Sequence, residues 1–357
     1  MSEKVLIKGN EAVAEAAIAS GCRHFFGYPI TPQSELAAYL ARRMPKVGGV
    51  YLQAESEVAA INMVYGASAA GVRCMTSSSS PGISLKSEGL SYLAGCDLPA
   101  VVVNVQRGGP GLGGIQPSQA DYFQATRGGG HGDYHIIVLA PGGVQEMFSY
   151  TCKAFDLADQ YRMTVMVLTD GILGQMMEAT SMTVNSEQAT ANSEKPWAVG
   201  GVRTGRARNI VNSLYLKPSE LEETNLARYE KYKLVEDAEQ AHDSYLLDDA
   251  EIVVAAYGAS ARIAKNAVDE ARNRGVKAGL LRPVTLWPFP KKAFLEASKH
   301  ARAFVSVEMS MGQMIEDIEL AIRCSRPVSL CSRVGGMVPD PAKILQAIIS
   351  ASQEATA

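Results

Sequence analysis

Four short stretches concentrate groups that could do chemistry: Tyr28-Pro29-Ile30-Thr31-Pro32, Gln53-Ala54-Glu55-Ser56-Glu57, Ser77-Ser78-Ser79-Ser80-Pro81-Gly82, and Arg107-Gly108-Gly109-Pro110-Gly111-Leu112-Gly113-Gly114. In the first, Thr31 suits a helix N-cap with Pro32 at N1. Main-chain N–H groups and a hydroxyl would then face outward, a setting for a carboxylate, although Thr-Pro also simply starts helices. In the second, Glu57 falls in a first helical turn, where the helix dipole favours a carboxylate whether or not it reacts. The small residues behind it, VAAINMVYGASAAG, let a backbone or a ligand ring come close. The third stretch offers hydroxyls and amides to a polar ligand edge, or is an ordinary Ser-rich turn. In the fourth, Arg107 can clamp a carboxylate with two parallel hydrogen bonds, or form a rim salt bridge.

Other motifs weigh less. Gly109, Gly111 and Gly114 satisfy GxGxxG, but Pro117 stands where the dinucleotide fingerprint needs a helix, so a nicotinamide-dependent dehydrogenase is the weakest reading. Ser77–Ser80 lack the G-x-S-x-G of a hydrolase elbow, and no P-loop occurs. His131, within Gly128–Asp133, reads as a solvated turn histidine, and Asp170-Gly171 as a polar turn. Lys86 either meets a distal substrate carboxylate or lies at the surface. The 6 cysteines include no CxxC pair and the 5 histidines form no HExxH, so no metal site is expected in this chain.

In an open parallel sheet, ligands bind beyond the carboxyl ends of strands, and the four stretches fall at such ends. Strands are predicted at His24–Gly27, Val50–Gln53, Val72–Thr76, Ala100–Val105, Ile136–Leu139 and Thr164–Leu168. Helices are predicted from an Asn10 cap to Ser20, from Thr31-Pro32 to Arg43, and over Glu57–Ala70, Ile83–Ala94 and Val144–Gln160. Strands alternating with helices imply parallel pairing with right-handed crossovers. From about Glu178 to Gly201 the chain turns polar and small, as a linker does. Ser219 and Glu222 read as a capping box opening a charged helix to about His242. The alternation resumes through Ile252–Tyr257, Ser260–Arg274, Val276–Leu281, Phe304–Glu308, Gln313–Arg323 and Val328–Cys331. The expected division is a first domain over 1–192, a linker and charged helix over 193–247, and a second domain over 248–357.

Composition agrees with two domains: 357 residues at roughly 150 per domain, with 47% hydrophobic and 20% charged residues to build ordinary cores. A net charge of −3 gives no electrostatic footprint for nucleic acid or an anionic membrane. No apolar run approaches the ~20 residues of a membrane span. The N-terminal MSEKVLIKGN lacks the basic head and apolar core of a signal peptide, so a cytoplasmic protein is expected.

Together GYPITP, QAESEVAA, SSSSPG, QRGGPG with the following QPSQADYFQA, and GGGHGD stand in an order and spacing that resembles the alpha subunit of 2-oxoacid:ferredoxin oxidoreductases. The resemblance covers nearly the whole chain. SSSSPGISLK, RGGPGLGG and DGILGQMME are most similar to the branched-chain, 2-ketoisovalerate type. It implies an α/β fold: a parallel-sheet pyrimidine-binding domain of a thiamine-diphosphate enzyme, then a smaller transketolase C-terminal-like α/β domain. The latter would hold GAS at 258–260, RPVTLWPFP at 282–290 and SVEMS at 306–310. By the same resemblance, Glu57 is the catalytic carboxylate that hydrogen-bonds N1′ of the aminopyrimidine, where proton exchange activates the cofactor. Thr31 and Arg107 match positions that hold the 2-oxo acid carboxylate, and Tyr28, Pro29, Ile30, Ser80, Pro81 and Gly82 fall in loops expected to bind the cofactor.

The implied reaction is oxidative decarboxylation of a 2-oxo acid, with coenzyme A and ferredoxin, to acyl-CoA, CO2 and reduced ferredoxin. Substrates other than 2-ketoisovalerate, namely 2-oxoglutarate or pyruvate, remain alternatives. The chain has no GDG-type motif followed by Asn for Mg2+ and diphosphate, and no cluster cysteines. The resemblance assigns these to a beta subunit, which shares the thiamine diphosphate, and to a small ferredoxin-like subunit, often accompanied by a gamma subunit. The chain alone is therefore expected to be inactive and to bind neither Mg2+ nor an iron–sulfur cluster. A non-catalytic scaffold subunit with the same fold is the reading of a different class; the joint presence of Thr31, Glu57 and Arg107 argues against it.

Overall fold

The computed structural model describes residues 4–183, 195–200 and 207–355. The first sheet has seven strands in the order Thr285–Trp287, Ile137–Leu139, Thr164–Asp170, Ala100–Gln106, Cys74–Ser78, His24–Gly27, Val50–Gln53. All its neighbours pair in parallel except Thr285–Trp287, which runs antiparallel to Ile137–Leu139. Ala100–Gln106 and Thr164–Asp170 are buried throughout, in register from Ala100 opposite Thr164 to Gln106 opposite Asp170. Their β-branched residues suit a strand covered on both faces. Helices Gly9–Ala19, Ser34–Arg43, Glu57–Ala69, Ser80–Gly95 and Val144–Tyr161 provide the connections.

The second sheet has five strands in the order Val328–Ser332, Ala303–Glu308, Ile252–Ala255, Ala278–Pro283, His242–Tyr245, parallel except for the last. Helices Gly258–Asn273 and Pro341–Glu354 cover one face, burying Ala264, Val268, Ile344 and Ile348 with Val254 and Val305. A continuous apolar core runs from the first unit into the second, through Val103, Leu168, Tyr257, Leu281 and Phe304.

Several local expectations are corrected. Asn10 does not cap its helix, which starts at Gly9 with Lys8 as N-cap; the Asn10 amide is buried and donates to Pro32 O at 2.8 Å. Met177–Ser181 does not begin a linker but pairs antiparallel with Lys4–Lys8. The Ser219–Glu222 capping box does not form: the helix runs Pro218–Ala238, with the proline in its first turn and no side-chain cap. That helix docks on the first unit through Arg228 Nη2, which donates to Gly95 O at 3.0 Å, and through Tyr232 against Trp287 and His135. His242 leaves the helix and opens a strand of the second sheet. The boundary expected at Asn192 lies outside the described residues.

Candidate active site

The site is built where strands His24–Gly27, Cys74–Ser78 and Ala100–Gln106 end. Glu57 is the first residue of helix Glu57–Ala69, and Ser56 caps that helix by accepting from Ala59 N at 3.1 Å. The Glu57 side chain is buried, with the residue 6% exposed. Gly82 faces it: a Cβ added there would stand 2.7 Å from Glu57 Oε1 and 2.0 Å from Ser78 Oγ. Only a residue without a side chain lets helix Ser80–Gly95 come this close to the carboxylate. Ser78 Oγ beside it, and the Thr76 and Ser79 hydroxyls at the same strand end, are buried without hydrogen-bond partners among the described residues. Unsatisfied buried hydroxyls are uncommon in folded proteins and mark places that a ligand can complete.

Helix Ser80–Gly95 begins three residues earlier than Ile83, with Pro81 in its first turn. Ser80 joins the carboxylate cradle to Arg107. Its hydroxyl lies 3.0 Å from Arg107 N, which donates to it, and 2.6 Å from Asp121 Oδ2, to which it donates. Asn104 completes the unit: its Oδ1 accepts from Ser80 N at 3.2 Å and its Nδ2 donates to Asp121 Oδ2 at 2.8 Å. Burial raises the Asp121 carboxyl above its ordinary range, opposed by the bonds from Ser80 and Asn104.

Arg107 forms neither a rim salt bridge nor a free clamp. It is buried; Nη1 donates to Thr31 O at 3.0 Å and Nη2 to Leu112 O at 3.1 Å, while Nε has no partner. Thr31 and Arg107 are therefore brought together, but not through a helix N-terminus. Helix Ser34–Arg43 starts beyond Thr31 with Gln33 as N-cap, because Ile30–Gln33 closes a turn in which Gln33 N donates to Ile30 O at 3.2 Å. The buried Gln33 pins this loop, donating to Tyr28 O at 3.3 Å and accepting from Ser77 Oγ at 2.7 Å. Tyr28, Pro29 and Thr31 are exposed on the loop and Ile30 is half-buried.

Gln33, Asn104 and Asp121 were not singled out in the sequence. Asn104 and Gln106 carried a signal: they are polar residues inside the apolar run AVVVNVQ, at the end of the strand that faces a ligand. Lys86 is corrected outright. It is fully buried, and its Nζ donates to the main-chain carbonyl of Glu57 at 3.3 Å. His131 is exposed, edge-on to Tyr92. Asp170 is not a turn residue but a buried N-cap, accepting from Ile172 N at 2.8 Å and Leu173 N at 3.2 Å. The GxGxxG loop leads into no helix before Tyr122–Thr126, and Gly108 N closes it on Gln116 O at 2.9 Å. This is not the glycine-to-helix geometry that cradles a dinucleotide.

The second unit closes on the site's flank. Gln119 is buried, with its Nε2 donating to Tyr257 O at 2.8 Å and its Oε1 accepting from Ser260 Oγ at 2.7 Å and Met309 N at 3.1 Å. Glu308, at the end of strand Ala303–Glu308, accepts from Ser306, Ser310, Gln313 N, Met314 N and Ile315 N. Its carboxylate thereby holds the turn against which residues 119–123 lie.

A family model described as pyruvate flavodoxin/ferredoxin oxidoreductase, thiamine diphosphate-binding, matches residues 15–245, and one for pyruvate:ferredoxin oxidoreductase core domain II matches 250–344. The ketoisovalerate oxidoreductase subunit VorB of Methanothermobacter marburgensis is 52% identical over 343 residues, 96% of each chain. The 2-oxoglutarate synthase subunit KorA of Methanothermobacter thermautotrophicus is 38% identical, over 98% of this chain and 99% of the relative. Among solved structures, the 2-oxoglutarate:ferredoxin oxidoreductase of Magnetococcus marinus, with 2-oxoglutarate, coenzyme A and succinyl-CoA bound, superposes with a TM-score of 0.85 at 27% identity. The match covers 98% of this chain and 65% of that one. A split-gene transketolase, at 12% identity and a TM-score of 0.61, shares the fold.

Proposed function

The chain belongs to the pyruvate flavodoxin/ferredoxin oxidoreductase family, and from that premise we propose that it holds the aminopyrimidine of thiamine diphosphate in a multi-subunit 2-ketoisovalerate:ferredoxin oxidoreductase. One observation carries this reading: a buried Glu57 carboxylate faces the side-chain-free Gly82, among hydroxyls that lack partners. A flat, polar-edged ring fits such a cradle, and the carboxylate meets its ring nitrogen.

Bound thiamine diphosphate supplies the carbanion chemistry that decarboxylation of a 2-oxo acid needs. The chain's own residues do the rest of the work on this side of the cofactor. Glu57 holds and exchanges a proton at the ring nitrogen N1′. The Ser78 and Ser79 hydroxyls offer hydrogen bonds to the ring's polar edge, and Tyr28, Pro29, Ile30, Ser80, Pro81 and Gly82 form its walls. Arg107, whose Nε lacks a partner, and the Thr31 loop tied to it receive the substrate carboxylate.

The substrate assignment rests on 52% identity to a ketoisovalerate oxidoreductase subunit, against 38% to a 2-oxoglutarate synthase subunit. The relatives are named as subunits, and in this reading a beta subunit brings Mg2+ and the diphosphate site. The beta and a small ferredoxin-like subunit bring the iron–sulfur clusters, and a gamma subunit accompanies them. No group of three His, Cys, Asp or Glu among the described residues is placed to hold a metal ion. We place the complex in the cytoplasm; no described helix is long and apolar enough to cross a membrane.

The test is a substrate panel on the complex reassembled with its partner subunits, following coenzyme A-dependent reduction of ferredoxin or a viologen dye. The highest kcat/KM is expected for 2-ketoisovalerate. Preference for 2-oxoglutarate or pyruvate overturns the substrate. Absence of 2-oxo acid-dependent reduction, with the complex intact, overturns the enzyme in favour of a scaffold.

A further inference from the structure

Lys86 has no part in the chemistry above, yet its position is costly. It lies on the face of helix Ser80–Gly95 that also carries Gly82 and Gly89, spaced to line up on one side. That face packs on helix Glu57–Ala69: a Cβ at Gly89 would stand 2.5 Å from Ile61 Cγ2, as one at Gly82 would crowd Glu57. The Lys86 side chain fills the place between, fully buried. An ammonium there loses its hydration, and the nearby helix N-terminus adds the partial positive charge of its free N–H groups.

Two features offset the cost. Nζ donates to the Glu57 carbonyl at 3.3 Å, and the opposing charge that acts on it is the Glu57 carboxylate. Burial pushes the ammonium down to about 8, against that attraction. Glu88, the other charged residue of this helix, is exposed and bonded to Tyr92. Helix Glu57–Ala69 carries no charge besides Glu57, and strand Cys74–Ser78 carries none. Asp121 and Arg107 are linked through Ser80 at the start of the lysine's helix. A lysine serving a second substrate carboxylate would have to present its Nζ; this one is covered.

We propose that Lys86 is a positioning residue for Glu57: it anchors the first turn of the Glu57 helix through the Glu57 carbonyl and supplies the positive charge that balances the buried carboxylate facing Gly82. The inference rests on the reading of Glu57 as the group that meets the aminopyrimidine. It gives the role of Lys86 a pH range: the cation is present below about 8 and is lost above it.

The experiment compares Lys86→Met, Lys86→Arg and Glu57→Gln in the reassembled complex. It reads the thiamine diphosphate dissociation constant by fluorescence titration, kcat and KM for the 2-oxo acid, and the pH profile of kcat. Lys86→Met is expected to lower kcat by at least about tenfold and to weaken cofactor binding, with KM for the 2-oxo acid within about twofold. Lys86→Arg, whose charge persists at high pH, should recover most of kcat and carry the alkaline decline from near 8 to higher pH. Wild-type kcat, cofactor affinity and pH profile in Lys86→Met, while Glu57→Gln is inactive, overturn the role of Lys86 alone. Full activity in Glu57→Gln overturns the reading beneath it. If Lys86→Met does not assemble, Lys86→Arg decides, and an unmoved alkaline limb overturns the proposal.

Discussion

Arg107 Nη1 donates to the Thr31 carbonyl at 3.0 Å, tying the loop after strand Ala100–Gln106 to the loop after strand His24–Gly27. With Nη2 on Leu112 O, the guanidinium is held by main-chain carbonyls at both ends, and Nε is buried without an acceptor among the described residues. A carboxylate arriving at Nε gives that N–H its acceptor. In the assembled enzyme Arg107→Ala should raise KM for the 2-oxo acid about ten- to hundredfold, a loss of roughly 1.4–3 kcal/mol of binding to a charged donor. The fall in kcat should be smaller. Steady-state kinetics at saturating coenzyme A measure this, and an unchanged KM takes Arg107 out of the carboxylate site.

Gly82→Ala tests the cradle without touching its charges. A helical Gly→Ala change stabilises by about 1 kcal/mol where space allows. Here the new methyl would meet Ser78 Oγ at 2.0 Å and Glu57 Oε1 at 2.7 Å, both ends of side chains that can turn away. The helix should survive and the carboxylate should be displaced. Isothermal titration of the complex should show thiamine diphosphate binding weakened by about tenfold or more, with little change in Tm. Unaltered cofactor affinity would mean that the face of Gly82 does not line the cofactor.

Much of this site was readable in the sequence because its four loops follow strands whose apolar runs are unmistakable, Ala100–Gln106 above all. The errors at helix starts are of one kind. Asn10, Thr31 and Ser219 are residue types that cap helices, yet Asn10 spends its amide on Pro32 O, Thr31 offers its carbonyl to Arg107, and Ser219 follows a proline that opens its helix. For Asn10, capping and tertiary hydrogen bonding compete for one side chain, and local sequence does not separate them; Thr31 and Ser219 lose the cap position because their helices start elsewhere, at Ser34 and Pro218. Thr285–Trp287 and His242–Tyr245 were missed as strands because each is short and gains its partners from distant segments. Lys86 was legible in principle. Its spacing from Gly82 and Gly89 puts it on the helix face where small residues admit a neighbouring helix, and a charge on such a face is buried.

Asp170 gives the fold a pH dependence. Its carboxylate is buried at the end of strand Thr164–Asp170, and burial raises it to about 6, against the N–H bonds from Leu173 and Ile172. The folded state therefore binds this proton more readily than the unfolded chain, so the group's stabilising contribution is present in acid and is lost as pH rises through about 6. Asp170→Asn keeps a capping acceptor without the charge. The stability difference, wild type minus Asp170→Asn, should fall by up to about 3 kcal/mol between pH 4 and pH 7. Denaturant unfolding at several pH values reads it, and a difference independent of pH contradicts the burial argument.

Gln119 should decide whether the two units unfold as one. It lies twelve residues after Arg107, and its main chain and side chain both reach the second unit: N donates to Met309 O at 2.9 Å, and O accepts from Tyr257 OH at 3.2 Å. The amide adds its bonds with Tyr257 O, Ser260 Oγ and Met309 N. Two neighbours extend the seam, with Tyr122 OH donating to Asp317 at 2.6 Å and Phe123 N to Gln313 Oε1 at 2.7 Å. Gln119→Leu fills the same space but leaves buried groups of Tyr257, Ser260 and Met309 without this partner. Tyr257 O keeps Ala261 N as a donor, so Ser260 Oγ and Met309 N are the groups left bare; at about 1–3 kcal/mol each, a total loss of roughly 2–6 kcal/mol is expected. Because the loss falls on the seam rather than on either core, calorimetry should show the transition broadening or splitting. A transition as sharp as wild type, at a lower Tm, would place the strength of the seam in the shared apolar core and in the Thr285–Trp287 strand exchange instead.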